Sequence, residues 1–511
     1  MLYTISSFLV LLASIGASLG FIHIFQLNSY RHSRYLRWAK EHKKRFVPYL
    51  LVLIISVIFS LFNNIIGYLV LVICVVIIAL SSILKKAKKP LVYTKRVIRL
   101  LITTSVLHLI VWAVSFASGF GILISGLSFS LVPFIMLLAD VLNMPIEKAI
   151  NRYYINDAKK ILKSAKGKLR VIGITGSYGK TSVKFYLTSL LSAEYNVLCT
   201  PESFNTPLGV VRTIRSSLSA MHDIFVCEMG AKNVGDIKEI CDIVSPDHGI
   251  ITSIGPQHLE TFKTLDNVKK TKFELSDSVS GGLMFLNGDD ENIMSQNKGK
   301  TAVTYGFGEH NDYRAEIISV SNKGTEFKVI TRDGEECIYS TELIGSHNVL
   351  NILGAVACSH SLGIPLIKLK PQIRKLKGVP HRLELINRGN LTIIDDAYNS
   401  NPSGAKAALD TLSLFSDMKI LVTPGMVELG EKQDECNYEF GKQASKVCDF
   451  VALVGKKQTE SILKGLKDAG YPDEKIFVAD NLNEAITKVY SLSPDAKKVI
   501  LLENDLPDNF L

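Results

Sequence analysis

The residues with the most legible chemistry in this 511-residue chain are Thr175, Gly176, Ser177, Tyr178, Gly179, Lys180, Thr181 and Ser182, which stand in one unbroken run. A glycine loop ending in Lys and Thr turns backbone N–H groups toward a polyphosphate, sets the Lys180 ammonium on the phosphates and offers the Thr181 hydroxyl to Mg2+. The loop is shorter than the usual Walker pattern. Five places before the Gly179-Lys180 pair, where that pattern has glycine, stands Ile174.

The elements that must hold the loop are readable on both sides of it. Residues 170–174 form a short apolar strand and a helical stretch starts at Val183, so strand, loop and helix follow in the order that aims a helix N-terminus at an anion. A second apolar strand, 224–226, closes on Cys227-Glu228-Met229-Gly230-Ala231, and a third, 249–254, runs into Ile254-Gly255-Pro256-Gln257-His258-Leu259-Glu260. Residues 283–343 read as a β-rich excursion with short strands such as 325–331. Beyond Pro380, apolar strands at 391–394, 420–423, 450–454 and 499–502 alternate with helical stretches, the pattern of a small Rossmann-like domain that closes over a nucleotide. Ser280-Gly281-Gly282 resembles the signature of ABC transporters, but it reads as a turn before the strand at 283–286.

Charge is divided unevenly. Residues 1–150 hold 15 Lys/Arg against 3 Asp/Glu, a balance of +12, whereas the remainder is at −2. A basic excess confined to an apolar segment points to a lipid bilayer and argues against nucleic acid. The eight cysteines show no C-x-x-C pair or metal spacing and read as thiols of a reducing compartment. Apolar runs at 4–27, 46–84 and 100–139 are one, two and two spans long, with tips expected at Asn63-Asn64 and at Ser118-Gly119, giving five membrane helices. Arg31 to Arg45 and Lys85 to Arg96 are the basic connections. They set the amino terminus outside and everything after about residue 140 in the cytoplasm. His108, near mid-span, is either a relay or ligand residue or a histidine hydrogen-bonded between helices.

The ordered set Thr175 to Thr181, Glu228 to Ala231, Thr252 to Glu260, Lys272-Phe273-Glu274, Gly345 to Asn351, His381-Arg382-Leu383-Glu384 and Asp395 to Pro402 resembles the Mur ligases of peptidoglycan synthesis over about residues 169–490. It is most similar to the branch that adds D-alanyl-D-alanine to the UDP-N-acetylmuramoyl tripeptide. The resemblance implies an ATP-dependent ligase: a carboxylate attacks the γ-phosphate, and an amine then attacks the acyl phosphate. It also implies a first Mg2+ on Thr181 and Glu228, a second on His258, and a CO2-derived carbamate on Lys272. Asn348 and Asn351 match the adenine-side asparagines, Arg382 a residue reaching the phosphates, Asp396 the ribose contact, and Asn399 a neighbour of the phosphates. Lys180, Lys272, His258 and Glu228 are thus the expected catalytic set.

The fold class expected is an α-helical membrane domain followed by α/β: a multi-pass membrane domain (1–145), an amphipathic linker helix (146–168), a central ATP-binding domain (169–378) and a C-terminal Rossmann-like domain (379–511). Membrane helices stand where the family has its UDP-sugar-binding domain. Ser203 to Gly209 lacks one asparagine of a usual pair, Ala231-Lys232-Asn233 replaces Ala-Asn-His, and Thr423-Pro424-Gly425-Met426 replaces Leu-Gly-Asp-Met, while Val427 to Glu431 is kept. The expected partners are a UDP-linked or lipid-linked muramoyl peptide and a dipeptide or amino acid. A related ligase joining another carboxylate and amine, as in poly-γ-glutamate synthesis, is the second reading. The third is a membrane ATPase that is not a ligase.

Overall fold

A computed structural model describes residues 2–504 apart from 62–64, 84–89, 119, 166, 203, 258, 298, 300, 380, 398–400, 428 and 493–495. The chain forms two compact units that meet in sequence at Tyr153 and Tyr154.

The first unit is built from α1 (Leu2–Leu27), α2 (His32–Glu41), α3 (Val47–Ser60), α4 (Ile65–Ile83), α5 (Lys95–Ala117), α6 (Gly121–Ser130) and the start of α7 (Val132–Ala165). Its polarity is inverted relative to a water-soluble bundle. Ser14, Ser18, Ser56, Thr104, Ser115 and Ser128 are buried, whereas Phe8, Leu12, Leu50, Ile73, Ile77 and Ile102 face outward. Hydroxyls that hydrogen-bond inside a bundle and aliphatic side chains outside it suit hydrocarbon rather than water. His108 is buried with its ring nitrogens 3.3 Å from Ser18 Oγ and 3.0 Å from Ser128 Oγ, so it bridges helices.

Among the described residues two helices, α1 from Thr4 to Leu27 and α5, are long and apolar enough to cross a membrane, and α6 with α7 is a pair bent by 70° that raises the number to three, against the five spans expected. Of the two charge-free stretches, 46–84 carries α3 and α4 and 100–139 carries α5 and the α6–α7 pair. At 14 residues α3 is shorter than one full span. Asn63, Asn64, Gly119 and the basic run from Lys85 to Lys89 lie outside the described residues.

The linker helix expected over 146–168 continues α7 past Pro145 as far as Ala165. From Tyr154 onward this helix belongs to the second unit, where Ala158 is buried and Ile155, Ile161 and Leu162 pack on the core. Arg215 fastens it there, 2.6 Å from Asp157 and 4.3 Å above the Tyr154 ring.

The second unit holds two sheets. The strands β1 (Arg170–Thr175), β2 (Val197–Cys199), β3 (Ile224–Glu228), β4 (His248–Ile251), β5 (Met284–Asn287), β6 (Val303–Gly306), β7 (Tyr313–Ser321), β8 (Gly324–Thr331) and β9 (Glu336–Thr341) form the larger one. Its order is β2-β3-β1-β4-β5-β6-β7-β8-β9, parallel as far as β7 and antiparallel beyond it. The expected β-rich excursion is therefore the outer half of the same sheet. Gly281 has φ +78°, and a Cβ on Gly282 would strike the Asp247 carbonyl, so that pair is a turn.

The smaller sheet comprises β10 (Glu384–Arg388), β11 (Leu391–Asp396), β12 (Met418–Thr423), β13 (Phe450–Val454), β14 (Ile476–Ala479) and β15 (Lys498–Glu503), in the order β10-β11-β15-β12-β13-β14. Only β10 runs antiparallel to its neighbour. The four expected strands fall in β11, β12, β13 and β15.

In the larger sheet β1 lies between β3 and β4, with Ile174 opposite Glu228 and Thr175 opposite Ile251. Three buried parallel strands thus end side by side, and a parallel sheet gathers ligand-binding groups at those carboxyl ends.

Candidate active site

The loop after β1 is laced to the segment after β4. Ser177 N donates to Ser253 O (2.7 Å), Tyr178 N to Ser253 Oγ (2.9 Å), Ser177 Oγ to Gly255 O (3.0 Å) and Tyr178 OH to Pro256 O (2.9 Å). Thr252 Oγ1 donates to Tyr178 O. Two glycines are required by this geometry. Gly176 has φ +152° and a Cβ there would collide with Thr252 Oγ1, while Gly179, at φ +78°, would carry its Cβ 2.5 Å from Asn351 Oδ1. Gly179 is also the N-cap of α8 (Lys180–Leu191), where the backbone turns into the helix.

Lys180 curls back on the loop. Its Nζ donates to Gly176 O at 2.8 Å and Ser177 O at 2.9 Å. Burial pulls its pKa down to about 8, with Glu228 opposing and Arg382 reinforcing the fall.

One residue further on, Thr181 Oγ1 donates to Glu228 Oε1 (3.2 Å), which also accepts from Asn205 Nδ2 (3.0 Å). Lys184 Nζ stands 3.1 Å from Glu228 Oε2, and both side chains are at most 1% exposed. Burial alone would push the Glu228 carboxyl up. Lys184, Lys180 and the Asn205 hydrogen bond outweigh it and hold the group below the usual carboxylate range.

The residues fit a hard divalent cation. Thr181 Oγ1 and Glu228 Oε1 set two oxygen donors 3.2 Å apart, while Oε2 is turned to the Lys184 ammonium. Among the described residues no cluster of three or more His, Cys, Asp or Glu side chains gathers. His258, expected at the second metal, lies outside the described residues, as does Asn399.

Lys272 projects from the helix Leu265–Ser278 and is 1% exposed. Burial, reinforced by Lys180, holds its ammonium well below the ordinary lysine range, while Asp236 and Glu274 act the other way. Glu274 fixes this helix by accepting from Gly235 N (2.7 Å) and Lys238 N (2.9 Å). A desolvated lysine beside a cation is held toward its neutral amine, the form that reacts as a nucleophile.

The nucleotide-side residues separate into two groups. Asn351 faces Gly179 across the loop. Asn348 is instead committed internally, accepting from Tyr186 OH (2.9 Å) and donating to Ile344 O (2.9 Å). Arg382 comes within electrostatic range of Lys180, Tyr186 and Asp396. It sits between His381 (φ 60°) and Leu383 (φ 51°), two non-glycine residues in left-handed backbone, a strain that concentrates at functional segments. Asp396 Oδ1 accepts from Leu383 N at 3.2 Å, and burial raises its carboxyl to about 6.

Lys184 is the site residue that the sequence reading missed. Its only signal is a position four residues after Lys180, on the same face of the helix.

The described geometry has counterparts. Residues 174–359 match the Mur ligase middle domain, and residues 381–503 match the Mur ligase glutamate ligase domain. The UDP-N-acetylmuramoyl-tripeptide–D-alanyl-D-alanine ligase of Bacillus subtilis is 33% identical over 276 residues, 53% of this chain and 59% of that relative. Its counterpart in Escherichia coli is 32% identical over 295 residues, 56% of this chain and 65% of the relative. The chain thus spans less than two thirds of the length of either. A crystal structure of MurF from Acinetobacter baumannii superposes with a TM-score of 0.63 at 26% identity, covering 70% of this chain and 77% of that one. MurF ligase from Thermotoga maritima in complex with ADP gives 0.61 at 25% identity, covering 70% and 80%.

Proposed function

By its middle and C-terminal domains the chain belongs to the Mur ligase family, and from that premise we propose that it is an ATP-dependent, ADP-forming ligase joining D-alanyl-D-alanine to a muramoyl-tripeptide cell-wall precursor at the cytoplasmic face of a membrane. The observation that carries this reading is the gathering of Lys180, Thr181, Glu228 and Lys272 around one loop at the carboxyl ends of β1 and β3. The ADP complex of the similar Thermotoga maritima structure supports nucleotide as the ligand.

In the proposed reaction the precursor carboxylate attacks the γ-phosphorus of ATP and ADP departs. The dipeptide amine then attacks the acyl phosphate carbon, phosphate leaves, and the amine proton passes to solvent as the amide forms. Two anions must meet in the first step, so the chain's task is to concentrate positive charge and exclude misalignment. Lys180 exchanges the loop carbonyls for phosphate oxygens, and Arg382 adds a guanidinium from the side of the smaller sheet. Thr181 and Glu228 would hold Mg2+, with His258 at a second ion, and the metal supplies charge neutralisation between carboxylate and phosphate.

Lys272 is the proposed carbamate: the ammonium gives up one proton, the neutral amine nitrogen bonds the carbon of CO2 with loss of a second, and a buried cation becomes a buried anion. Burial of Lys272 beside Lys180 supports that exchange of charge. Asp396 would accept from the ribose hydroxyls, Asn348 and Asn351 would face the adenine side, with Asn348 also bracing the helix start, and Asn399 would approach the phosphates.

The inverted polarity of the first unit and the +12 charge of residues 1–150 support a bilayer as partner. The proposed topology is five spans with the amino terminus outside and the ligase domains inside. The proposed domain limits are 1–145, 146–168, 169–378 and 379–511.

The deciding experiment offers the purified full chain ATP, D-alanyl-D-alanine and either UDP-linked or undecaprenyl-linked muramoyl tripeptide, following phosphate release and product mass. Phosphate is expected only when carboxylate and amine are both present. Hydrolysis with neither would make the chain an ATPase of another kind, and a product with a different amine would reassign the substrates within the family.

A pH dependence follows from Asp396. Its carboxyl is raised to about 6, so it is neutral below that pH and becomes an acceptor-only carboxylate above it. ADP affinity is expected to strengthen as pH rises from 5 to 7, and titration calorimetry of Asp396→Asn should show this rise flattened. Parallel profiles for variant and parent would remove Asp396 from the nucleotide site. For stability the sign is opposite: a raised acid favours the fold fully below its unfolded pKa, and that contribution is lost as pH climbs through about 6.

A further inference from the structure

Lys184 has no place in the reaction as proposed, yet it is fully buried against the carboxylate at the site's centre. It leaves α8 one turn after Lys180 and one face apart from solvent. Its ammonium lies over the Phe185 ring at 4.5 Å and reaches two oxygen partners: Glu228 Oε2 at 3.1 Å and the carbonyl of Glu202, a residue with left-handed φ of 41°. Glu202 lies in the same connection as Asn205, which donates to Glu228 Oε1 at 3.0 Å. The carboxylate is therefore held on both oxygens, by Lys184 on one and by Asn205 and Thr181 on the other.

A buried ion pair is an expensive way to fill space. The desolvation of two charges commonly cancels their attraction, and apolar side chains of equal volume stabilise a core as well. Lys184 is also too deeply enclosed to touch a nucleotide, unlike the half-buried Lys180.

We infer that Lys184 is a positioning residue for metal binding: it pins Glu228 Oε2 and the Glu202 carbonyl so that Oε1 is presented beside the Thr181 hydroxyl. This rests on the ligase reading for the identity of the cation as Mg2+. Groups that orient a metal ligand without touching the metal typically change its affinity 10- to 100-fold when removed.

The test measures thermal stabilisation of the full chain by saturating ADP as Mg2+ is titrated. In Lys184→Met, which keeps the length of the stem, the half-saturating Mg2+ is expected to rise roughly 10- to 100-fold. With ADP and Mg2+ in excess, phosphate release is expected to recover most of its maximal rate. A folded variant with a lower melting temperature and an unchanged Mg2+ midpoint would reduce Lys184 to a structural pair and overturn the inference.

Should Lys184→Met fail to fold, Glu228→Gln is compared with Lys184→Met/Glu228→Gln. The double variant is expected to melt higher than Glu228→Gln, since no lone charge is left inside, and to show the same weakened Mg2+ response. A further loss of Mg2+ response in the double variant would mean that Lys184 acts on metal or phosphate directly. If the parent protein gains no Mg2+-dependent stabilisation from ADP, the ligase reading fails and this inference falls with it.

Discussion

Lys272→Ala is expected to lose turnover by at least about 10²–10³-fold, the scale on which removal of one preorganised charged group acts, while its affinity for ADP stays within a few-fold of the parent. The reasoning starts from burial. Lys272 is 1% exposed on a helix that does not supply the loop, and its near neighbours include Lys180. An ammonium in that position would repel both Lys180 and a divalent cation. The same nitrogen carrying CO2 would attract both, and alanine can do neither. Lys180, Thr181 and the loop glycines, which would bind the phosphates, stand in other elements and keep their hydrogen bonds. Phosphate release and calorimetric ADP binding, measured on the same preparation, check the two halves of the statement. Equal turnover in variant and parent would remove Lys272 from the mechanism, and loss of ADP binding would recast it as a nucleotide contact.

Glu228→Gln carries the second large effect, and here stability and activity fall together. Glutamine keeps an oxygen able to accept from Thr181 and Asn205, so the local shape survives. What disappears is the negative charge opposite Lys184, whose side chain is 0% exposed. Stripping one partner from a buried pair typically costs about 3–5 kcal/mol, so the melting temperature of the second unit should drop by several degrees. Mg2+ should raise it far less than in the parent in the presence of ADP, and turnover should fall by about 10²-fold or more. Differential scanning calorimetry with and without Mg2+ reads both effects. A variant that melts with the parent would show that Lys184 finds another anion, and the buried pair would then contribute little to the fold.

Much of this architecture could be read from residues alone, for physical reasons that also explain the omissions. β1, its loop and α8 are legible because Gly176, Gly179, Lys180 and Thr181 have few other uses in that order after an apolar strand. β12, β13 and β15 are buried along most of their length and so appear as near-continuous apolar runs, and half-buried β11 is still marked by Leu391, Ile393 and Ile394. β10 and β14 escape notice because they are edge strands: Glu384–Arg388 is half-exposed and begins and ends on charge, and Ile476–Ala479 is apolar but only four residues long. Residues 146–165 look like a separate helix because their charge rises sharply at Glu147, yet the backbone continues through Pro145 as part of α7.

Within the site, Glu228 and Lys272 could be found only through their order among other motifs. Lys184 was silent, since a lysine four residues beyond another is ordinary on any helix. Asn348 is less legible: its type and position suggest a ligand contact, and its carboxamide also ties Tyr186 to the Ile344 carbonyl, a bracing role that its sequence position does not announce.

The inward curl of Lys180 has a consequence for inhibitor chemistry. With its ammonium latched to the carbonyls of Gly176 and Ser177, the loop is satisfied by itself, and a newcomer must compensate for two charge-assisted hydrogen bonds, each worth about 1.5–3 kcal/mol, before gaining anything. A polyanion does so readily; uncharged adenosine mimics offer the latch nothing in exchange. Competitors built on the base alone should therefore bind poorly here, and those that carry a tetrahedral dianion should unfasten the loop and hold it open.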